Sequence, residues 1–340
     1  MEKTKVQDNE MNLHWADEQE AIKTNKPLVF LLNIVKFMPR WFSYIIVFPV
    51  SFFFFIFSKR ARNEAKYYQK VLREYTNGEV PKRISAYKQI FSFSMCIVEK
   101  LDGWLGRFDY DKLIKHDDDL PVILKQLDEG KGAFIIGSHL GNMELLRSIS
   151  SLNSSGVKRH VDVTAIMEMN STEQFNNVLK TVDPNVQMNL IDAKNIGPET
   201  ICLIEDKINE GGMVFIAADR TSASSRTRVL THKFLGKDAN FPYGVFMMAS
   251  LLKAPTYYIF GMRDKTVTLL PKQHIYVEKS NVDFNCARNE RESRINDLCL
   301  EYISKLEKYV KMYPYQWYNF HNFWLLQKYN KLEILTKKPS

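Results

Sequence analysis

From about residue 130 onward, short apolar runs alternate with longer stretches of helical spacing, and this alternation restricts the fold more than any other feature. The runs at 132–138 (GAFIIGS), 161–167, 186–191, 213–218 (MVFIAA), 256–262 and 266–270 are strand-length and apolar. Between and after them, 142–150, 172–181, 198–209, 243–252 and 288–312 carry apolar residues every three or four positions. Strands joined by helices call for a largely parallel sheet covered by helices. In such sheets, functional groups gather on the loops that leave the C-terminal strand ends. The expected fold is therefore α/β: a mostly parallel sheet flanked by helices over 126–330, preceded by an N-terminal helical region over 1–125.

The N-terminal region has its own signature. Residues 1–27 are polar, and 60–75 are charged with helical apolar spacing. Ile84, Tyr87, Ile90, Phe91, Met95, Val98, Leu101 and Trp104 mark an amphipathic helix over 84–106. Asp119 ahead of Pro121 is a start signal for a helix over 121–129. The run from Trp41 to Ser58 holds 18 residues without a charge, including Phe52 to Phe55 in a row. As a helix it is ~27 Å long at ~1.5 Å per residue, close to the ~30 Å of bilayer hydrocarbon. Lys36 and Arg40 precede it, and Lys59, Arg60 and Arg62 follow it, which suits anionic headgroups. It is expected to anchor the chain in a membrane over about 28–58, either spanning or as a half-inserted hairpin kinked at Pro49. The other reading is a buried core helix. A signal peptide is disfavoured, because the apolar part starts late, runs long and lacks a small-residue cleavage site after it.

Charge and cysteine usage narrow the partners. Lys plus Arg is 47 and Asp plus Glu is 39, a net charge of 47 − 39 = +8. That excess favours anionic partners such as phosphate, an acidic carrier protein or an anionic bilayer. The cations cluster at the flanks of the aromatic run and are elsewhere mixed with acids, so no nucleic-acid partner is expected. Cys96, Cys202, Cys286 and Cys299 form no Cys-x-x-Cys pair, which disfavours a disulfide scaffold and structural zinc. Free thiols are the simpler reading.

The first strand of the alternating region runs into Gly137-Ser138-His139-Leu140-Gly141-Asn142-Met143-Glu144. His139 falls where the chain leaves the sheet, and Glu144 falls five residues later in the first turn of the next helix. Gly141 and Asn142 permit a tight turn between them, able to return the Glu144 carboxylate to one imidazole nitrogen. The other nitrogen then faces the cleft as a general base. His-x4-Glu also occurs by chance at an ordinary capped helix start. Ser138 stands one place early for a Gly-x-Ser-x-Gly nucleophile, and there is no His-Glu-x-x-His, Gly-x-Gly-x-x-Gly or Walker sequence. No metal or bound cofactor is expected.

Three further clusters follow. Asp219-Arg220-Thr221-Ser222-Ala223-Ser224-Ser225-Arg226-Thr227-Arg228, after the strand at 213–218, is either an anion-binding loop or a solvated one. Asn142, Asp219, Arg220 and Arg226 are the candidate substrate-binding residues. Phe234, Leu235 and Phe241 either wall an apolar channel or belong to the core, and Pro242 suits a helix start. The aromatic stretch from Pro314 to Trp324 suits an interface or a pocket wall.

Taken in order, the His-x4-Glu after a strand, the strand-end Asp-Arg, the Phe-Leu-Gly…Phe-Pro element and the Pro-x-Gln-Trp terminus resemble the bacterial lysophospholipid acyltransferase superfamily. The resemblance is to its lipid A late (lauroyl and myristoyl) acyltransferase branch and covers most of residues 10–325. It implies a membrane O-acyltransferase with an acyl thioester donor, on acyl carrier protein or coenzyme A, and a lipid hydroxyl acceptor. It also implies a bacterial inner-membrane location with the catalytic domain on the cytoplasmic side. His139 would be the general base, Glu144 its orienting and charge-balancing carboxylate, Asp219 a strand-end acid of the site, and Arg220 a holder of phosphate or donor. The chain departs from the lipid A enzymes after the second strand: Met167-Glu168-Met169-Asn170-Ser171 stands where they carry an Arg-containing turn. This leaves the acceptor open among lipid A precursors, amino-acid lipids, lysophospholipids and pigment or polyene esters. A membrane-bound hydrolase and a non-catalytic lipid-binding protein are the rival readings.

Overall fold

The structure, a computed structural model, describes residues 40–104, 112–116, 119–146, 156–167, 189–221, 228–264, 271–321 and 323–324. The lead-in over 1–27, the start of the anchor at 28–39, the 168–171 turn, the helix expected at 172–181, the strand expected at 266–270 and Arg226 lie outside them.

Among the described residues, three helices come first: α1 (Arg40–Phe57), α2 (Lys59–Tyr75) and α3 (Ala86–Trp104). Then follow β1 (Ile114–His116), α4 (Leu120–Asp128), β2 (Ala133–Gly137), a 3-10 turn (Met143–Leu145), β3 (Val163–Met167) and β4 (Asn189–Asp192). The chain continues through α5 (Pro198–Asn209), β5 (Met213–Ala217), a hairpin of β6 (Val229–Phe234) and β7 (Lys237–Pro242), α6 (Tyr243–Leu252), β8 (Thr256–Arg263), β9 (Gln273–Lys279) and α7 (Arg291–Met312).

Among the described residues, seven strands form the main sheet in the order β1-β9-β8-β2-β5-β3-β4. Every neighbouring pair is parallel except β8 with β9. This is the expected mixed α/β class with a mostly parallel sheet flanked by helices. All five residues of β2 are buried, because helices cover both faces of the sheet and an apolar side chain finds cover on either side. Alternate residues feed two cores. Phe134, Ile136, Val214, Ile216, Tyr258 and Phe260 pack with residues of α5, α6 and α7. Ala133, Ile135, Met213, Phe215, Tyr257 and Ile259 pack with Leu120, Ile123 and Leu127 of α4.

The aromatic run differs from its hairpin reading. Helix α1 passes through Pro49 without a break, and the chain turns at Ser58 instead. Val47 and Ser51 are buried in the packing against α3, where Phe48 meets Phe91 at 4.6 Å between ring centroids. Much of the remainder of α1 is exposed, Trp41, Ile45, Phe52, Phe53 and Phe57 among others. No helix among the described residues is long and apolar enough to cross a membrane, so a spanning anchor has no support. The buried-core reading of this helix does not hold for its exposed side either.

An internal ion pair fastens α3 to the sheet. Arg263, the last residue of β8, is 1% exposed and pairs with Glu99 at 2.9 Å. Gln273 Nε2 donates to the same carboxylate at 2.8 Å, and Arg263 Nη2 donates to the Ser92 carbonyl at 3.1 Å. A buried charge survives only with such partners.

Candidate active site

Parallel pairing of β2 with β5 assembles the site. Gly137 lies opposite Ala217 in the register, and Ala218 N–H donates to the Gly137 carbonyl at 3.0 Å beyond it. Two residues past the Gly137–Ala217 pair, the chain reaches His139 on one strand end and Asp219 on the other. Adjacent strands lie about 4.8 Å apart, which is within side-chain reach. His139 Nδ1 donates to Asp219 Oδ1 at 2.8 Å, and the His139 backbone N–H donates to Oδ2 at 2.8 Å. An ionised carboxylate only accepts, so Nδ1 carries the proton and Nε2 keeps its lone pair.

This geometry corrects the role expected of Glu144. The carboxylate on the ring is that of Asp219, 80 residues away in sequence. Glu144 sits in the 3-10 turn that follows, where its backbone N–H donates to Asn142 Oδ1 at 3.0 Å and its charge acts on Cys96 of α3. The pairing between strands reaches the ring first, and Nδ1 has no second place for a carboxylate.

The turn itself is tightly built. Gly141 has φ +74, and a Cβ there would fall 2.0 Å from the Gly261 carbonyl oxygen, so only glycine fits. Its N–H donates to the Gln316 carbonyl at 2.8 Å, and Asn142 N–H donates to the Gly261 carbonyl at 2.7 Å. On the other side the Tyr318 N–H donates to the His139 carbonyl at 2.9 Å, and Leu140 forms an antiparallel bridge with Trp317. The Pro-x-Gln-Trp terminus is thus a strap laced along the loop that carries His139. Gln316 fastens it to β8 through the backbone N–H and carbonyl of Arg263. From α7, Tyr302 OH donates to the Gly137 carbonyl at 3.1 Å.

Burial sets the electrostatics. Asp219 is 1% exposed. Burial alone would raise its pKa; the charge and hydrogen bond of His139, then Arg220, then the Trp317 N–H overcome this and hold it at about 2. The His139 side chain keeps 29% of its surface. Desolvation, followed by the Arg220 charge, lowers its pKa below 6.5 against the opposing pull of Asp219. The pair at neutral pH is therefore a neutral imidazole held by an ionised carboxylate.

Of the remaining expected residues, Arg220 joins the site: its Nη2 donates to the Tyr318 carbonyl at 3.0 Å. Asn142 is 2% exposed and caps the 3-10 turn through Oδ1. Its Nδ2, and both amide atoms of the equally buried Asn319, have no hydrogen-bond partner among the described residues. Arg228 lies over the Tyr243 ring at 4.3 Å. Phe234, Leu235 and Phe241 are core residues, each at most 2% exposed. Two features were not legible beforehand: Asp219 as the histidine's partner, and Trp317 Nε1, which donates to Asp219 Oδ2 at 2.8 Å. The strap motif is visible in the sequence, but nothing local to it indicates what it touches. No group of three or more His, Cys, Asp or Glu among the described residues is arranged to hold a metal ion.

No curated protein matches the chain significantly. The sequence profile described as bacterial lipid A biosynthesis acyltransferase, however, matches residues 28–326, a span that includes the strand-end histidine, its aspartate and the strap. The chain belongs to the bacterial lipid A biosynthesis acyltransferase family and is an acyltransferase.

Proposed function

We propose that the protein moves a fatty acyl group from a thioester, on acyl carrier protein or coenzyme A, to a hydroxyl of a lipid or glycolipid at a membrane surface. The observation that carries this reading is the His139–Asp219 pair at adjacent strand ends, with Nε2 free of the proton that Nδ1 holds. His139 Nε2 takes the proton of the acceptor hydroxyl as its oxygen attacks the thioester carbonyl. Asp219 stabilises the imidazolium formed. The tetrahedral oxyanion collapses, the C–S bond breaks, and the imidazolium returns its proton to the departing thiolate. An ester and a free thiol result, with no covalent enzyme intermediate. Arg220, whose charge acts on the ring, supplies positive charge for a phosphate or the oxyanion.

Membrane contact is part of the proposal. The exposed aromatic side of α1 joins α2 at Ser58, and α2 carries Lys59, Arg60, Arg62, Lys66, Lys70 and Arg73. An apolar face beside a basic helix suits a chain lying in the interface of an anionic bilayer. On this reading the protein is attached to the cytoplasmic side of a bacterial inner membrane, where thioester donors are supplied.

The test uses the purified full chain, labelled acyl-carrier-protein and acyl-CoA donors, and membrane lipids extracted from cells lacking the protein. The expected product is an acylated lipid, lost in a folded His139→Ala variant. Free fatty acid alone would make the protein a hydrolase instead. Unchanged transfer in the variant would remove His139 from the mechanism.

A further inference from the structure

The mechanism leaves Trp317 without a chemical task, yet its surroundings are built with unusual care. The residue is fully buried, and its ring is packed by Tyr68 at 4.9 Å, Phe323 at 5.2 Å and Phe234 at 5.3 Å between centroids. Its backbone is held from two sides: the Gln89 amide donates to its carbonyl at 2.7 Å, and the bridge to Leu140 fixes it against the catalytic loop. The indole N–H therefore has one direction, and in that direction lies Asp219 Oδ2 at 2.8 Å.

A buried tryptophan ordinarily satisfies its N–H on whatever acceptor is near. Trp324, in the same aromatic cluster, does so on the Phe234 carbonyl at 3.3 Å. Trp317 instead reaches the one carboxylate that orients the histidine. Asp219 accepts three donors: the ring and the backbone N–H of His139, and the indole. With Oδ2 gripped from the strap and from the loop, Oδ1 is left to the imidazole alone.

We propose that Trp317 is a positioning residue of the acyl-transfer site, acting on His139 through Asp219. The inference rests on His139 as the base and adds that the C-terminal strap sets the strength of that base. Removing the indole N–H leaves the carboxylate in place, still clamped by the His139 backbone, but with one stabilising donor fewer. Its charge then falls more fully on the imidazolium.

The test reads the histidine directly rather than the reaction. Diethyl pyrocarbonate modifies neutral imidazoles, and the part-exposed His139 ring is open to it. The modification rate at His139, followed by peptide mass spectrometry across pH in the full chain in mild detergent, gives the titration midpoint of that ring. The other charges facing the ring, Arg220 and Lys100, are unchanged in the comparison. In Trp317→Phe the midpoint should rise by a few tenths of a pH unit. In an Asp219→Asn background the same substitution should leave it where Asp219→Asn placed it. Should Trp317→Phe fail to fold, the indole at 317 is replaced by its benzothiophene isostere, which keeps the shape and lacks the N–H. An unmoved midpoint, or an equal shift in both backgrounds, would overturn the proposal. Because no acyl transfer is measured, a wrong substrate assignment would leave this result intact, and a wrong role for Trp317 would leave the transfer assay intact.

Discussion

At the residue scale, the proposed chemistry turns on which state His139 holds near neutral pH. Burial and Arg220 keep its folded pKa below the ordinary 6.5, so the ring is neutral and basic at pH 7. Transfer by a neutral base is lost on protonation. The rate against pH should therefore rise through a midpoint below 6.5 and then level off. The same shift carries a stability consequence. A histidine whose pKa is depressed by folding binds protons more readily when unfolded, so its contribution falls as pH drops through its unfolded value. Asp219 runs in the same direction at lower pH. Held at about 2, it stabilises the fold above the ordinary carboxylate range, and that contribution is lost as pH falls through about 2. Both candidate residues were legible in the sequence as strand-end groups, but their partnership was not. The local spacing from His139 pointed to Glu144, and only the β2–β5 register brings Asp219 to the ring.

At the scale of elements, Glu99 and Arg263 show how the helical region and the sheet are made one body. Removing one member of a buried ion pair strands the other charge. Glu99→Ala should cost about 3–5 kcal/mol in equilibrium unfolding followed by circular dichroism. Unaltered stability would mean that Gln273, Ser92 and bound water suffice for Arg263. The alternation of apolar runs located β2, β3, β5, β8, α5, α6 and α7 closely, because each buries its apolar residues at a clear period. It missed β1, β6, β7 and β9. Strand β1 has three residues, too few for a period. Strand β6 (VLTHKF) is partly exposed and polar, and among the described residues pairs with β7 alone in a separate two-stranded hairpin. Strand β9 (QHIYVEK) buries polar residues as well, Gln273 on Glu99 and Glu278 beneath Lys305, Lys308 and Tyr309, so its composition hides its burial. Proline also misled: Pro49 lies inside an intact helix, while the turn falls at Ser58.

At the scale of the whole molecule, α1 carries aromatic side chains that no described residue covers, and the cations of α2 follow it directly in the chain. Phe53 is 60% and Phe57 78% exposed, so replacing both by Ser removes little internal packing. The double variant should keep its fold but lose most of its co-sedimentation with anionic lipid vesicles; retained binding would place membrane contact elsewhere. The proposed active site is likewise a property of the whole chain, since His139, Asp219 and Trp317 come from three distant segments. The most direct test of that assembly compares Asp219→Asn with Glu144→Gln in the transfer assay across pH. The pairing on His139 predicts that Asp219→Asn lowers the plateau rate by about 10²–10⁴-fold, because the imidazole loses the carboxylate that fixes its tautomer and stabilises its protonated form, and moves the acid midpoint down, while Glu144→Gln leaves that midpoint in place. A wild-type profile in Asp219→Asn together with a displaced midpoint in Glu144→Gln would contradict it.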